Sequence, residues 1–333
     1  MTKGLQYRIE KSIALLRKAE GIAKMYDPEN GFFLAFSGGK DSQALYHIAQ
    51  MAGVQFKAHF SPTSCDPPQL IRFIRRNYPD VEFAKLKMSI YDMAVKKRYP
   101  PTRTARWCCA EYKENAGAGK VTLIGIRRQE STKRAARNEV EITSHKFSGD
   151  WDEFIKYRAS KEYKNLNQDE FTHDKESEVR CINGKDSLLI SPIIDWTDRD
   201  VWEFLNDVEK VPHCELYDPP YNQHRVGCIL CPMATRRQRL KHIKIWPYAK
   251  QKWIKAFEKI IEYYNEKEAN GGGNYSSDKS FGAVVSANLR WGGAGITAED
   301  LFDWWISDLS YREWKERKNM PSLPFEGEED EGE

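Results

Sequence analysis

Ser37-Gly-Gly-Lys-Asp-Ser42 is the segment whose residue types can do chemistry most directly. Ser37 and Ser42 can donate hydroxyl hydrogen bonds, Lys40 can neutralise phosphate charge, and Asp41 can hold a magnesium ion on a pyrophosphate. Gly38 and Gly39 can take the conformations of a tight turn and put no Cβ between ligand and backbone. An apolar run, Gly31-Phe-Phe-Leu-Ala-Phe36, directly precedes the segment and a helical pattern directly follows it. Strand, glycine turn and helix together aim backbone N–H groups at an anion, where the helix dipole also favours negative charge. The loop is not a Walker A motif, because Lys40 is followed by aspartate rather than Ser or Thr. A plain glycine turn would need neither the serines nor the lysine and aspartate, so the spacing points to an anion site.

The cysteines form a second constellation. Arg106-Trp-Cys-Cys109 and Gly227-Cys-Ile-Leu-Cys-Pro232 supply four thiols, Cys108, Cys109, Cys228 and Cys231. Two cysteines separated by two residues can aim both sulfurs at one metal centre. With the vicinal pair they are enough for a tetrahedral zinc site or a [4Fe–4S] cluster. On an extended chain, adjacent cysteines point to opposite faces. That suits a cubane, whose irons lie apart, better than one zinc ion, and zinc stays open as the alternative. Cys65 follows the second strand pattern, on the rim where such sheets bind ligands, and is a candidate sulfur carrier. Cys214 reads as a small buried hydrophobe, and Cys181 falls in a charged insertion.

The elements that must position these groups follow from periodicity. Residues 5–25 carry apolar positions at helical spacing, and Ala44, Leu45, Ile48 and Ala49 give the helix after the loop a buried stripe. Strands are expected at 31–36, 54–60, 81–86, 121–126 and 188–191, with Asp66 capping a helix whose first turn holds Pro67. Strands alternating with helices predict an α/β fold with a doubly wound, mostly parallel sheet. Thr197-Asp-Arg-Asp200 has the form of a capping box. A basic helical stretch over 235–266, broken at Pro247, a glycine loop at 271–277 and an aromatic helix over 298–317 make a C-terminal helical region. The expected domains are 1–240, with a charged insertion at about 145–185, then 241–325, then an acidic, disordered tail at 326–333.

Bulk properties narrow the class. The 333 residues carry a net charge of +3, 40% hydrophobic residues and ten tryptophans, ample for a packed core. There is no apolar run of eighteen residues and no signal-peptide pattern, so a cytoplasmic protein without a membrane span is expected. Seven cysteines without a secretory pattern argue for metal or redox chemistry rather than disulfides. Basic residues gather at 72–106 and 236–255. In the second stretch Trp246, Tyr248 and Trp253 lie among the lysines and arginines, which suits either nucleic-acid binding with base stacking or a solvated face with its aromatics in the core.

The Ser37–Ser42 hexapeptide resembles the pyrophosphate-binding loop (PP-loop) of the ATP pyrophosphatase superfamily. Pro101 to Lys113, Gly125-Ile-Arg-Arg-Gln-Glu-Ser131, Pro192-Ile-Ile-Asp-Trp-Thr197 and the Cys-x-x-Cys segment follow in the order seen in the phosphoadenosine phosphosulfate reductase family. The resemblance covers roughly residues 30–240. It implies an adenine nucleotide alpha hydrolase-like fold, with ATP or a related adenine nucleotide and magnesium at Ser37–Ser42. It implies Lys40, Asp41 and Arg127 as the charged catalytic groups, Arg127 on phosphate, and Glu130 and Ser131 as polar supports. It also implies a [4Fe–4S] cluster on Cys108, Cys109, Cys228 and Cys231. Sulfonucleotide reductases carry a nucleophilic cysteine in a C-terminal Glu-Cys-Gly-x-His segment, and no cysteine follows Cys231 here. The chain therefore looks like the branch that includes the DNA sulfur-modification (DndC-like) proteins. The expected function is adenylation of a substrate in support of sulfur transfer, with a nucleic acid (DNA or tRNA) acceptor, a cysteine desulfurase as sulfur donor, and oligomerisation left open. A sulfonucleotide reductase, and a non-catalytic subunit of a DNA-modification or phage-defence system, are the alternatives.

Overall fold

A computed structural model describes residues 1–166, 181–182, 185–269 and 296–319. Two compact units divide the chain: Met1–Lys87 with Trp107–Cys228, and Met88–Arg106 with Ile229–Glu333.

The first unit is built on a seven-stranded sheet. Its strands are β1 (Phe32–Ala35), β2 (Phe56–Phe60), β3 (Glu82–Phe83), β4 (Val121–Leu123), β5 (Val140–Ile142), β6 (Ser148–Gly149) and β7 (Leu188–Ile190). The spatial order is β3-β2-β1-β4-β7-β5-β6. From β3 to β7 every pairing is parallel, with Phe33 opposite both Lys57 and Thr122, and β5 and β6 close that edge antiparallel. β1 is apolar throughout because both of its faces are covered: Phe32 and Leu34 are fully buried and Phe33 nearly so.

Helix α1 (Lys3–Tyr26) is capped by the Thr2 hydroxyl and buries Leu5, Ile9, Leu16 and Ala23. Helix α2 (Lys40–Ala52) buries Ala44, Leu45, Ile48 and Ala49 and ends at Gly53 in the left-handed region. Helix α3 (Pro68–Asn77) begins later than the sequence suggested. Pro67 is its cap, and the Asp66 carboxylate instead accepts from the Thr63 N–H inside the preceding loop. The expected third strand shrinks to two residues, since beyond Phe83 only the Ala84 N–H reaches across to the Phe60 carbonyl. β5 and β6 have no counterpart in the expectation. They lie around and inside a polar stretch too short to show a period. In the charged insertion, Trp151–Leu166 is helical.

The second unit is helical. Ile90–Lys97, Arg236–Ile245, Pro247–Ala269, Ala298–Ser307 and Tyr311–Asn319 pack around Trp253, Phe257, Phe302 and Trp305. The break at Pro247 is as expected, but the single terminal helix is two, separated where Asp308 turns left-handed. The glycine loop at 271–277 and the acidic tail fall outside the described residues. No helix among the described residues is long and apolar enough to cross a membrane.

Candidate functional site

β1 has β2 on one side and β4 on the other, so the chain reverses its direction of travel across the sheet there. In open α/β sheets the crevice beyond the carboxyl ends of two such strands is where ligands bind. Ser37–Ser42 leaves β1 at that point, and Gly125–Ser131 leaves β4.

The loop is tightly drawn. Gly38 is left-handed, with φ 73°, and a Cβ there would lie 2.7 Å from Ile74 and Leu70 side-chain atoms of α3. Only glycine can lay the turn on α3. The Ser37 hydroxyl donates to Ser42 Oγ at 3.1 Å, and Ser42 Oγ donates to the Gly39 carbonyl at 2.9 Å. Gly125 lets the second segment approach, since a Cβ there would sit 3.0 Å from the Asp41 carbonyl oxygen.

Four ionised groups meet over this loop. Lys40 Nζ is 2.9 Å from Asp198 Oδ1 and 3.4 Å from Asp41 Oδ2. Arg127 donates from Nε to Asp41 Oδ1 at 2.7 Å, from Nη2 to Asp198 Oδ1 at 2.9 Å, and from Nη1 to the Trp196 carbonyl at 3.3 Å. Lys40 and Arg127 are only 5% and 2% exposed, so the two cations are fixed rather than solvated. The Asp198 side chain is 54% exposed. Its partial burial acts to raise its pKa, but the Lys40 hydrogen bond and the Arg127 charge prevail and hold it below the ordinary carboxylate value. The Tyr217 hydroxyl accepts from the Lys40 N–H at 2.9 Å, and burial raises its pKa.

Glu130 and Ser131 both lie next to Arg127. Glu130 Oε1 accepts from the Arg127 N–H at 3.0 Å, while its other oxygen pairs with Arg134 and, at 3.6 Å, with Arg225. The Ser131 hydroxyl caps the short helix Thr132–Ala135. Sequence reasoning missed Asp198, Tyr217, Arg134 and Arg225 as members of this site. Asp198 was visible only as part of the capping box, which does form between Thr197 and Asp200. Nothing local marks the other three.

The thiols are arranged differently from the expectation. Cys108 and Cys109 lie in a helical turn, Trp107–Cys109, that runs into a π-helical turn, Ala110–Glu114. The extended-chain argument for opposed sulfurs therefore does not apply to them. In the Cys-x-x-Cys segment Leu230 is left-handed, φ 57°. Thr63 Oγ1 lies 3.2 Å from Cys65 Sγ and 3.5 Å from Cys228 Sγ, and Lys113 Nζ is 3.3 Å from Cys228 Sγ. A hydrogen bond from the Cys65 thiol and the Lys113 charge together hold Cys228 well below the ordinary thiol pKa despite its burial. The same hydrogen bond, then burial, push Cys65 up. Burial and the Cys228 charge raise Asp66 to about 6. Cys214 is fully buried, and burial pushes its thiol up to about 11.

Donor chemistry and donor placement give different answers about a metal. Four thiols, one of them with its pKa held well down, suit a soft metal or a cluster. As placed, no three His, Cys, Asp or Glu side chains among the described residues stand together as ligands.

In the second unit Trp246 and Trp253 are 4% and 2% exposed. Trp253 packs on Tyr91 and Trp305, so neither tryptophan offers a face to a base. Arg239, read among the surface cations, is buried, donating to the Trp305 carbonyl and pairing with Asp308. Arg236, Arg237, Lys244, Lys252 and Lys255 remain exposed.

Fold and site together define an α/β protein with a glycine loop and two buried cations at the switch point of a mostly parallel sheet. Residues 31–234, more than half of the chain, match the phosphoadenosine phosphosulfate reductase domain, and the chain belongs to that family. It is 23% identical over 263 residues to an uncharacterized protein of Methanocaldococcus jannaschii, a match covering 78% of this chain and 54% of the other. The chain thus spans about half the length of that curated relative. Among solved structures it is similar to the Candida glabrata FMN adenylyltransferase in complex with FMN and the ATP analogue AMPCPP. That match has a TM-score of 0.39 and 13% identity over 68% of this chain and 64% of the other. The same enzyme with FAD and inorganic pyrophosphate gives 0.38 and 14%, over 68% and 62%.

Proposed function

We propose that the chain is an ATP pyrophosphatase-type enzyme that adenylates an acceptor and so prepares it for sulfur transfer. The convergence of two buried cations, Lys40 and Arg127, on the loop at the sheet's switch point carries this reading. A nucleotide held there presents its β- and γ-phosphates to the loop N–H groups, Lys40 and Arg127; Asp41 would hold a magnesium ion, which would neutralise phosphate charge. An acceptor oxygen attacks the α-phosphorus. The bond from that phosphorus to the bridging oxygen breaks, and pyrophosphate leaves with its electron pair. Lys40 and Arg127 act by stabilising the charge that develops on the leaving pyrophosphate, from positions that their burial fixes. Glu130 holds the Arg127 backbone during this step.

The donor set Cys108, Cys109, Cys228 and Cys231 supports a [4Fe–4S] cluster as the resident cofactor, with zinc as the alternative. When bound it would supply sulfur or redox chemistry. A nucleic acid acceptor is supported by the exposed cations of Arg236–Ala269, and membership of the DndC-like branch and the desulfurase partner belong to the same proposal. The family match favours a second reading, sulfonucleotide reduction. It needs a thiolate nucleophile, and Cys65 is a poor one, being 4% exposed and held protonated.

Magnesium-dependent release of pyrophosphate from ATP, assayed anaerobically with and without tRNA or DNA, tests the reading. Release abolished in Lys40→Met supports it. Release of sulfite from a sulfonucleotide by the isolated protein overturns it.

A further inference from the structure

The cations that would hold phosphate are already satisfied by a carboxylate of the chain itself. Asp198 Oδ1 lies 2.9 Å from both Lys40 Nζ and Arg127 Nη2, so one oxygen occupies the point where the two cations converge. The Tyr217 hydroxyl likewise occupies the backbone N–H of Lys40, 2.9 Å away. Both are acceptors standing where phosphate oxygens would stand. The two are anchored differently. Tyr217 is half-buried and packed edge-on against Trp202. The Asp198 side chain is 54% exposed, and its backbone N–H donates to Gln129 Oε1 at 2.7 Å, a bond that survives rotation of the side chain. Rotation into solvent relieves the partial desolvation of Asp198 and gives up its two ion pairs, whereas Lys40 and Arg127 stay buried.

We infer that Asp198 is an internal competitor for the phosphate cradle, an acceptor that a polyphosphate must displace before the loop can hold it. The inference rests on Ser37–Ser42 being the phosphate-binding loop. Its consequence is selectivity: a weak monoanion leaves the carboxylate in place, while a multiply charged diphosphate replaces it. A protein whose competent state is only partly populated binds with an affinity lowered by that fraction, and removing the competitor restores it.

Titration calorimetry with sodium pyrophosphate in EDTA at low ionic strength tests this with the full chain. Asp198→Asn and Asp198→Ala should each bind about five-fold more tightly than the parent, the scale set by two partly exposed ion pairs. Asp195→Asn is the charge-matched control. It removes the same charge nearby, from a carboxylate paired with Lys11 at 2.8 Å and with Arg128, and should stay within about two-fold of the parent. Lys40→Met should bind far more weakly. Unchanged or weaker binding in both Asp198 variants, with Lys40→Met still defective, overturns the competitor and leaves the loop assignment standing. Equal tightening in Asp195→Asn also overturns it, as a general charge effect. Parent-like affinity in Lys40→Met, or no binding by any of the proteins, overturns the loop assignment and the competitor together.

Discussion

Lys40→Met separates binding from folding, because it deletes the ammonium while keeping a chain of similar length. Lys40 is 5% exposed, with its nitrogen 2.9 Å from Asp198 and 3.4 Å from Asp41. A unit charge pair at ~4 Å and an effective dielectric of ~20 interacts by about 4 kcal/mol, an upper bound for a site that opens to solvent. Charge-assisted hydrogen bonds contribute ~1.5–3 kcal/mol, so pyrophosphate affinity should fall by about 10- to 150-fold. The fold should lose only about 1 kcal/mol or less, since Asp198 is half exposed and Asp41 keeps its hydrogen bond from Arg127. Arg127→Lys should behave differently. The guanidinium serves Asp41, Asp198 and the Trp196 carbonyl through one planar fork, which an ammonium cannot reproduce. Leaving the buried carbonyl and carboxylate short of donors should cost about 2 kcal/mol of stability as well as affinity. Calorimetric titration paired with urea unfolding reads both quantities. Binding by Lys40→Met within two-fold of the parent would refute the reasoning. So would a stability loss in Lys40→Met matching that of Arg127→Lys, since the affinity change would then report partial unfolding.

Protein prepared anaerobically should be brown, with about four irons per chain, and alanine at Cys108, Cys109, Cys228 or Cys231 should each remove the colour. Stoichiometric zinc without iron in such a preparation would reject the cluster. With thioredoxin and either adenosine phosphosulfate or phosphoadenosine phosphosulfate, the chain should release no sulfite. Any nucleic-acid binding should weaken steeply as salt rises, because it rests on exposed cations rather than stacked tryptophans; salt-insensitive binding would contradict that. His47 sits between Tyr78 and Glu209, and burial pushes its pKa below 6.5, so the imidazole is neutral in the fold. Its contribution is complete above about 6.5 and is lost as pH falls from there through the lower folded value, because the unfolded chain binds the proton first. The urea midpoint should therefore drop between roughly pH 7 and 5, and His47→Gln should flatten that part of the curve.

The loop and its strand were legible because their signals are local: an apolar run buried on both faces and two glycines within a dozen positions. Arg127, Glu130 and Ser131 stood out through the family motif that contains them, and the fold brings Glu130 onto the Arg127 N–H. Asp198 and Tyr217 were not, since they reach Lys40 from 158 and 177 positions away, a relation set by sheet order rather than by any pattern in the neighbouring residues. Asp66 was misread because Asp-Pro before a helix is the usual form of a cap. The carboxylate instead closes the Thr63 turn and faces Cys228. Trp246 and Trp253 could have been base platforms or core by pattern alone, and the packing of Tyr91 and Trp305 on Trp253 decides for the core.

A crystal structure of the chain with magnesium and a non-hydrolysable ATP analogue, at concentrations where binding is established in solution, tests the central claim most directly. The account predicts β- and γ-phosphates against Ser37–Ser42, within hydrogen-bond reach of Lys40 and Arg127, with the Asp198 carboxylate turned away from both. A nucleotide whose phosphates lie elsewhere, with Asp198 still bridging Lys40 and Arg127, would contradict it.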